Sequence, residues 1–256
     1  MNRLLAAIRF LTILPLPGRR GADPADLARG TAMFPVVGLL LGAVAAGAVW
    51  LVAPHAPPLV TAAGLVILLA AMSGCLHLDG LSDTADGLLS SRPRQQMLEI
   101  MKDSRTGAMG VIALLAVLLV KFAALASLAS LGAAELWPAA ALMPLAGRCA
   151  MLVHMAIMPA ARPGGLGAVF CGRPRAWAIA LWAAAILAVA GWLVADLPGL
   201  VAWVASAAVT LLTAAYFYRK IGGATGDTLG AVCEIVETVP AISLALWPAH
   251  ATLLAH

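Results

Sequence analysis

The chain has 256 residues, of which 62% are hydrophobic and 11% charged, with a net charge of +4 and a mean hydropathy of +0.97. A soluble domain carries about a quarter of its residues as charges, so composition excludes a water-soluble globular protein and points to an all-α bundle of membrane helices. No basic patch interleaves with aromatics, which excludes nucleic-acid binding. The four cysteines (Cys75, Cys149, Cys171, Cys233) form no C-x-x-C pair, which argues against a zinc site or disulfide framework.

The chain opens with "MNRLLAAIRFLTILPLPGRR", a short apolar run flanked by arginines and lacking a small-residue cleavage site. It is too short to span and reads as an interfacial amphipathic segment. A spanning helix needs about 20 mostly apolar residues. Such runs lie near 33–53, 58–76, 108–131, 136–158, 176–195 and 198–217, with a weaker one near 238–255 interrupted by Pro240 and Pro248. These six to seven helices suit one integral-membrane catalytic domain over 1–256. Gly38 and Gly42, four residues apart, fit a close helix contact. The turns "PHAPP", "GAAE" and "DLPG" carry no Lys or Arg. All basic residues except Lys121 and Arg148 fall in the amino-terminal segment or near 77–107, 159–175 and 218–237. Basic loops favour the cytoplasm, which places those segments inside the cell.

Three of the twelve acidic residues crowd into "LHLDGLSDTADGLLSS", residues 76–91. Asp79, Asp83 and Asp86 are spaced i, i+4, i+7 and fall within about 60° on a helix. Like charges on one face repel, and magnesium compensates well, because it takes a few carboxylates and fills its shell with water and phosphate. A solvated amphipathic turn is the bland alternative.

A second stretch, "EIMKDSRTGAMG" (99–110), offers Asp103 as another carboxylate and Lys102 and Arg105 as cations for phosphate oxygens. Gly107 and Gly110 lead into the next span, whose helix amino terminus would favour an anion. Arg92 and Arg94 read as topology determinants. A third stretch, "GGATGDTLGAVCEIVE" (222–237), has glycines at 222, 223 and 226 that permit close backbone approach to a ligand. Asp227 and Glu234 there share a helix face. Arg148 lies inside a predicted span, where a charge normally faces the bundle interior with a partner, which is a phosphate, an aspartate of the cluster or, equally, the partner in a structural ion pair. Lys121 snorkels or pairs within the bundle, His77 is either a substrate contact or, more commonly for a lone histidine beside a span, merely interfacial, and His154 reads as packing.

In chain order, "RFLTILPLP", "FPVVGLLLG", "LHLDGLSDTADGL", "LEIMKDSRTGAMGVIAL" and "GGATGDTLGA" followed by "CEIVE" resemble the cobalamin synthase family, the adenosylcobinamide-GDP ribazoletransferases. The resemblance runs from about residue 9 to 237. It implies a magnesium-dependent transferase of the cell inner membrane, multi-pass, with its site facing the cytoplasm. Such an enzyme joins adenosylcobinamide-GDP to α-ribazole or its 5′-phosphate and releases GMP. With that resemblance, Asp83, Asp86 and Asp103 are expected at the catalytic centre. His77, Lys102, Arg105, Arg148, Gly223 and Asp227 are expected at the substrates, and Asp79, Asp83, Asp86, Asp103, Asp227 and Glu234 at the magnesium ion. The lipid bilayer is the expected environment, and the sequence leaves a homo-oligomer open.

Two rivals share features of the chain. "DTADG" matches part of the CDP-alcohol phosphotransferase signature, which continues with Ala-Arg where this chain has "LLSSR". A cation-coupled transporter would instead place its carboxylates near the bilayer midplane at broken helices, whereas these sit in or beside charged loops.

Overall fold

The structure, a computed structural model, describes residues 3–14, 16, 24–173 and 176–253, and among them it is helical throughout apart from short connections. The helices are α1 (Arg3–Leu11), α2 (Pro24–Gly30), α3 (Phe34–Val52), α4 (Pro58–Met72), α5 (Leu76–Leu88), α6 (Arg94–Ile100), α7 (Ala108–Leu131), α8 (Ala133–Ile157), α9 (Gly165–Phe170), α10 (Ala176–Ile221) and α11 (Gly226–Leu253). Prolines start two of the spans, Pro35 in the first turn of α3 and Pro58 in that of α4, where the missing N–H has no partner to lose. A single residue, Gly132 at φ +114°, joins α7 to α8. Only glycine accepts that backbone angle readily.

The bundle is built around α8, which packs against α3, α10, α11 and α7. Its Pro138 and Pro144 lie inside the helix, which membrane helices tolerate when neighbours cover the freed backbone groups. Gly38 and Gly42 provide the close contact expected of them. A Cβ on Gly38 would lie 2.8 Å from the Leu145 Cα, and one on Gly42 would overlap the Ala141 carbonyl. Outward-facing Leu, Val, Ile and Trp side chains of α3, α4, α7 and α10 stay exposed, as a lipid-facing surface requires.

The amino-terminal segment folds as the short helix α1. It buries Ala6, Ala7 and Leu11, and just after it the Ile13 amide donates to the Met72 carbonyl at 3.0 Å. The segment is thus laid against the bundle. Residues 1–2, 15 and 17–23 of it lie outside the described residues.

α10 consists of two helical arms that match the two expected spans and break at Ala195 and Asp196, where the dihedrals leave the helical region. The arms fold back on one another, with a Gly191 Cβ only 2.7 Å from the Gly199 carbonyl. Two features differ from the sequence reading. First, α4 is 15 residues long and turns by 89° into α5, so the aspartate helix leaves the direction of the span and runs across it. Second, the last span begins at Gly226, not near 238, and reaches at least Trp247. Hydropathy marked 222–237 as a loop because of Glu234 and Glu237. Both are buried and neutralised by cations from other helices, so they belong inside the bundle.

Five helices are long and apolar enough to cross a membrane, and a sixth crossing arises if α4 and α5 are taken together. With the two arms of α10 counted separately, the connections between α4 and α7, α8 and α10, and α10 and α11 fall on one side. These are the connections that carry the basic residues.

Candidate active site

The site forms where α5 crosses the beginning of α11. A Cβ on Gly80 would stand 2.7 Å from the Asp227 carbonyl and 3.2 Å from the Gly230 Cα, and one on Gly230 3.2 Å from the His77 carbonyl. Each helix thus presents a glycine to the other, and the two backbones nearly touch. The "LDGLSD" and "GDTLG" segments meet for this reason, which brings Asp227 to Asp79 and Asp83. The start of α11 is fixed locally. The Thr225 amide donates to Thr228 Oγ1 at 2.8 Å, and the Thr228 amide donates to Thr225 Oγ1 at 3.2 Å, a reciprocal cap at the helix amino terminus.

Asp79 is exposed, whereas Asp83, Asp86 and Asp227 are half-buried. Because α5 runs across the span, Asp83 lies beside the membrane-crossing segments. Partial burial, followed by the neighbouring carboxylates of Asp79, Asp227 and Asp86, pushes its carboxyl up to about 6. Among the described residues, no basic side chain comes within 4.0 Å of Asp79, Asp83 or Asp86. Asp227 has one cationic neighbour, Arg162, at 3.5 Å. At Asp79 and Asp83 like charges therefore accumulate without an ion-pair partner, which is the setting a divalent cation relieves. The described residues gather no preformed set of three or more His, Cys, Asp or Glu ligands. That fits magnesium, which is bound through one or two carboxylates and takes the rest of its shell from water and substrate phosphate. One or two of Asp79, Asp83 and Asp227, which lie close enough to influence one another, could serve as such ligands.

Asp86 has a different partner. Its Oδ2 accepts from the Gly107 amide at 2.7 Å, and its Oδ1 accepts from the Gly110 amide at 2.8 Å. The helix amino terminus at α7 does bind an anion, as the sequence suggested, and that anion is the chain's own carboxylate. The two glycines make this possible, since a Cβ on Gly107 would lie 2.5 Å from Asp86 Oδ1 and one on Gly110 would overlap Ser82 and Asp86.

The other expected site residues are placed as follows. Asp103 and Arg105 form an exposed two-pronged pair, with Arg105 Nε to Asp103 Oδ1 at 3.0 Å and Nη2 to Oδ2 at 2.6 Å. These bonds hold the Asp103 carboxyl down at about 2. Lys102 is exposed beside them. Among the described residues, the side-chain bonds of Asp103 all go to Arg105. Glu234 is kept apart, seven residues or about 10 Å up α11 from Asp227. It takes Lys121 Nζ at 2.9 Å, and that nitrogen also reaches Glu237 at 2.9 Å. Arg148 pairs with Glu237, which is the structural ion pair that the sequence allowed and not a contact to an aspartate of the cluster. These four charges balance within the bundle interior. His77 is 1% exposed and its Nε2 has no partner. Gly223 gives close approach to the chain itself, since a Cβ there would overlap the Pro159 carbonyl. The expected partner of that glycine was a ligand.

Sequence reading missed Arg162 and read Arg94 only as a topology determinant. Arg162 donates to the Leu98 carbonyl at 2.9 Å and reaches Asp227, so it joins the connection after α8 to the aspartates. Its signal was an arginine directly before a proline and two glycines. Arg94 donates to the Ile221 carbonyl at 2.8 Å and to the Ala161 carbonyl, clamping α6 onto the turn before α11.

The sequence matches the family described as Cobalamin-5-phosphate synthase over residues 3–245. The chain belongs to the cobalamin-5-phosphate synthase family. Curated relatives named adenosylcobinamide-GDP ribazoletransferase are similar over nearly their full length. The protein of Desulforamulus reducens is 44% identical over 243 residues, covering 93% of this chain and 93% of its own. That of Roseiflexus sp. is 41% identical over 241 residues (94% and 88%), and that of Geotalea daltonii 38% over 238 residues (93% and 94%). No solved structure matches. The family match spans α1, α5, α7 and the start of α11, so every helix that contributes to the aspartate site lies within it.

Proposed function

We propose that this chain transfers the phospho-cobinamide moiety of adenosylcobinamide-GDP to α-ribazole, or to α-ribazole 5′-phosphate, and releases GMP. In this reading it is a magnesium-dependent transferase of the cell inner membrane, with its site on the cytoplasmic face. The supporting observation is the crossing at Gly80 and Gly230, which gathers Asp79, Asp83 and Asp227 on the side that carries the basic connections. The names of the relatives agree with it.

Asp79, Asp83 and Asp227 would hold the ion, and magnesium would supply charge neutralisation at the phosphate oxygens and the leaving group. The protein's own part is positional and electrostatic. Arg162 stands beside Asp227, where a guanidinium could meet a phosphate oxygen, and Lys102 and Arg105 would add cations from the exposed connection before α7. Asp86 holds the amino terminus of α7 against α5 and so fixes the face on which the other aspartates stand. The 5′-hydroxyl oxygen of the acceptor forms a bond to the phosphorus attached to the cobinamide arm. The bond from that phosphorus to the bridging oxygen of GDP breaks, and GMP carries that oxygen away. The hydroxyl proton passes to a carboxylate of the cluster.

The transporter alternative is disfavoured, because the carboxylates lie at the end of the bundle where α4 turns into α5 and α11 begins. Purified protein in lipid nanodiscs, given both substrates, should release GMP in step with product, and chelation of divalent ions should stop it. Transfer that continues at the same rate in excess chelator would remove the magnesium assignment. Absence of GMP release under all metal conditions would remove the transferase reading.

A further inference from the structure

A cavity opens away from the aspartates, among α1, α2, α8, α9 and the first turn of α10. It encloses about 730 Å³ counted to its open mouth, and none of Asp79, Asp83 and Asp227 lines it. Three arginines do: Arg3 at the start of α1, Arg29 in the last turn of α2 and Arg173 after α9. The rest of the wall is mostly hydrocarbon, with Leu152, Met155, Phe170 and Ile179 prominent, and it includes no Asp or Glu. Among the described residues, no carboxylate comes within 4.0 Å of Arg3 or Arg173. Arg29 meets Asp26 at 3.6 Å, with its own side chain 65% exposed. Arg173 Nη1 donates to the Val169 carbonyl at 3.0 Å, which ties that arginine to α9.

Three guanidiniums around one cavity, with so little counter-charge, attract an anion, and their planar forks match the oxygens of a phosphate. Position narrows the source of that phosphate. Leu152 and Met155 belong to the last turns of the spanning helix α8, and Ala176 and Ile179 to the first turn of α10. The cavity therefore stands where the hydrocarbon layer gives way to water. Trp177, in the same first turn of α10, is 61% exposed, as a tryptophan at a membrane interface is. The wall suits a headgroup and its glycerol better than a nucleotide. Thr31 is the only uncharged polar side chain at the cavity, and its hydroxyl already donates to the Ala28 carbonyl at 2.9 Å. A base would bury its polar edges against aliphatic carbon, whereas the first methylenes of an acyl chain gain from the same contact.

We propose that this cavity binds the phosphate headgroup of one anionic phospholipid, held by Arg3, Arg29 and Arg173, with its acyl chains leaving along the lipid-facing surface of α10. Basic pockets between membrane helices take such headgroups. The bound lipid fastens α1, α2 and α9 to the ends of α8 and α10. The proposal stands apart from the transferase reading and does not depend on it.

Full-length protein in neutral detergent, given equal phosphatidylglycerol and phosphatidylcholine, tests this by native mass spectrometry. Wild type should retain one phosphatidylglycerol in preference to phosphatidylcholine. Arg3→Gln combined with Arg173→Gln should weaken that retention by about thirtyfold, at about fivefold for each basic residue. Arg92→Gln combined with Lys220→Gln removes the same charge from the same end of the bundle, outside the cavity, and should change it by less than about twofold. An equal thermal midpoint of wild type and the cavity variant in phosphatidylcholine reports that the variant is folded, and added phosphatidylglycerol should raise the midpoint of wild type alone. A wild type without preference for phosphatidylglycerol overturns the proposal whatever the variants do. Equal loss in the two double variants overturns it too, since the attraction would then be diffuse. Displacement of the lipid by inorganic phosphate or GDP would make the cavity a site for a soluble phosphate and overturn the lipid assignment.

Discussion

Asp86 and Gly107 are joined by a 2.7 Å hydrogen bond from the glycine amide to the carboxylate, across 21 residues of chain. With the matching bond from Gly110 at 2.8 Å, it makes Asp86 the anion at the amino terminus of α7, where the helix dipole and free amides favour negative charge. Asp86 is therefore expected to contribute to stability as well as activity, unlike its neighbour Asp83. Asp86→Asn removes the charge and leaves only one carbonyl oxygen for two amides, which should cost about 1–2 kcal/mol. Thermal unfolding in detergent should show a lowered midpoint for Asp86→Asn and no loss for Asp83→Asn. Equal midpoints would mean that the α7 contact carries no stability.

The buried charges make a separate prediction. Lys121 and Glu234 are 3% and 4% exposed at their side chains, as close to fully buried as Arg148 and Glu237. Removing one partner of such a pair strands the other, at a cost of about 3–5 kcal/mol, whereas replacing both with apolar groups is often neutral. Lys121→Met should thus be strongly destabilised, and Lys121→Met with Glu234→Met should recover most of the loss, because Arg148 still serves Glu237. The yield of folded protein and its thermal midpoint, compared across the two single variants and the double, would decide this. A double variant no better than Lys121→Met would show that Glu237 depends on Lys121 as well.

Much of this arrangement was legible in the chain. Helix positions followed from apolar run length, and the i, i+4, i+7 aspartates showed that α5 would carry a charged face. Gly38 and Gly42 marked the α3–α8 contact. What the sequence could not show was which charges cancel. Glu234 and Glu237 resembled Asp227 as acids in a glycine-rich stretch, and only the approach of α7 and α8 reveals that Lys121 and Arg148 neutralise them. Asp103 looked like a fourth carboxylate for the cluster because charge spacing says nothing about its neighbour Arg105, two residues away, which engages it locally. Arg162 was overlooked because its partners, Leu98 and Asp227, are more than sixty residues distant on either side.

Topology can be checked with cysteines, because the connections at the two ends of the bundle differ in charge. In a Cys75→Ser background, which removes the exposed native thiol, cysteines at Lys102 and Arg219 should resist a membrane-impermeant thiol reagent in intact cells. One at His55, in the exposed turn between α3 and α4, should react. Reaction at Lys102 with protection at His55 would invert the bundle and move the aspartates to the outside.

The last prediction concerns the charge that gathers around Asp83. In metal-free protein this carboxyl titrates near 6 and not at its ordinary 3.8, first through burial and then through Asp79, Asp227 and Asp86. The folded state therefore binds this proton more tightly than the unfolded chain does, so its contribution to stability grows as pH falls through the window from about 6 to 3.8 and is lost as pH rises above it. Magnesium needs the ionised carboxylate, so its binding changes in the opposite sense and weakens through the same window. Metal-free protein should be relatively more stable at about pH 5 than at about pH 8, and added magnesium should raise the thermal midpoint far more at the higher pH. Asp83→Asn has no proton to exchange, so both dependences should flatten. Its transfer activity should fall to a small fraction of wild type, and raised magnesium should restore part of it if ion binding is the defect. A magnesium-induced shift in Asp83→Asn equal to that of wild type at both pH values would take Asp83 out of the ion site and leave Asp79 and Asp227 to hold it.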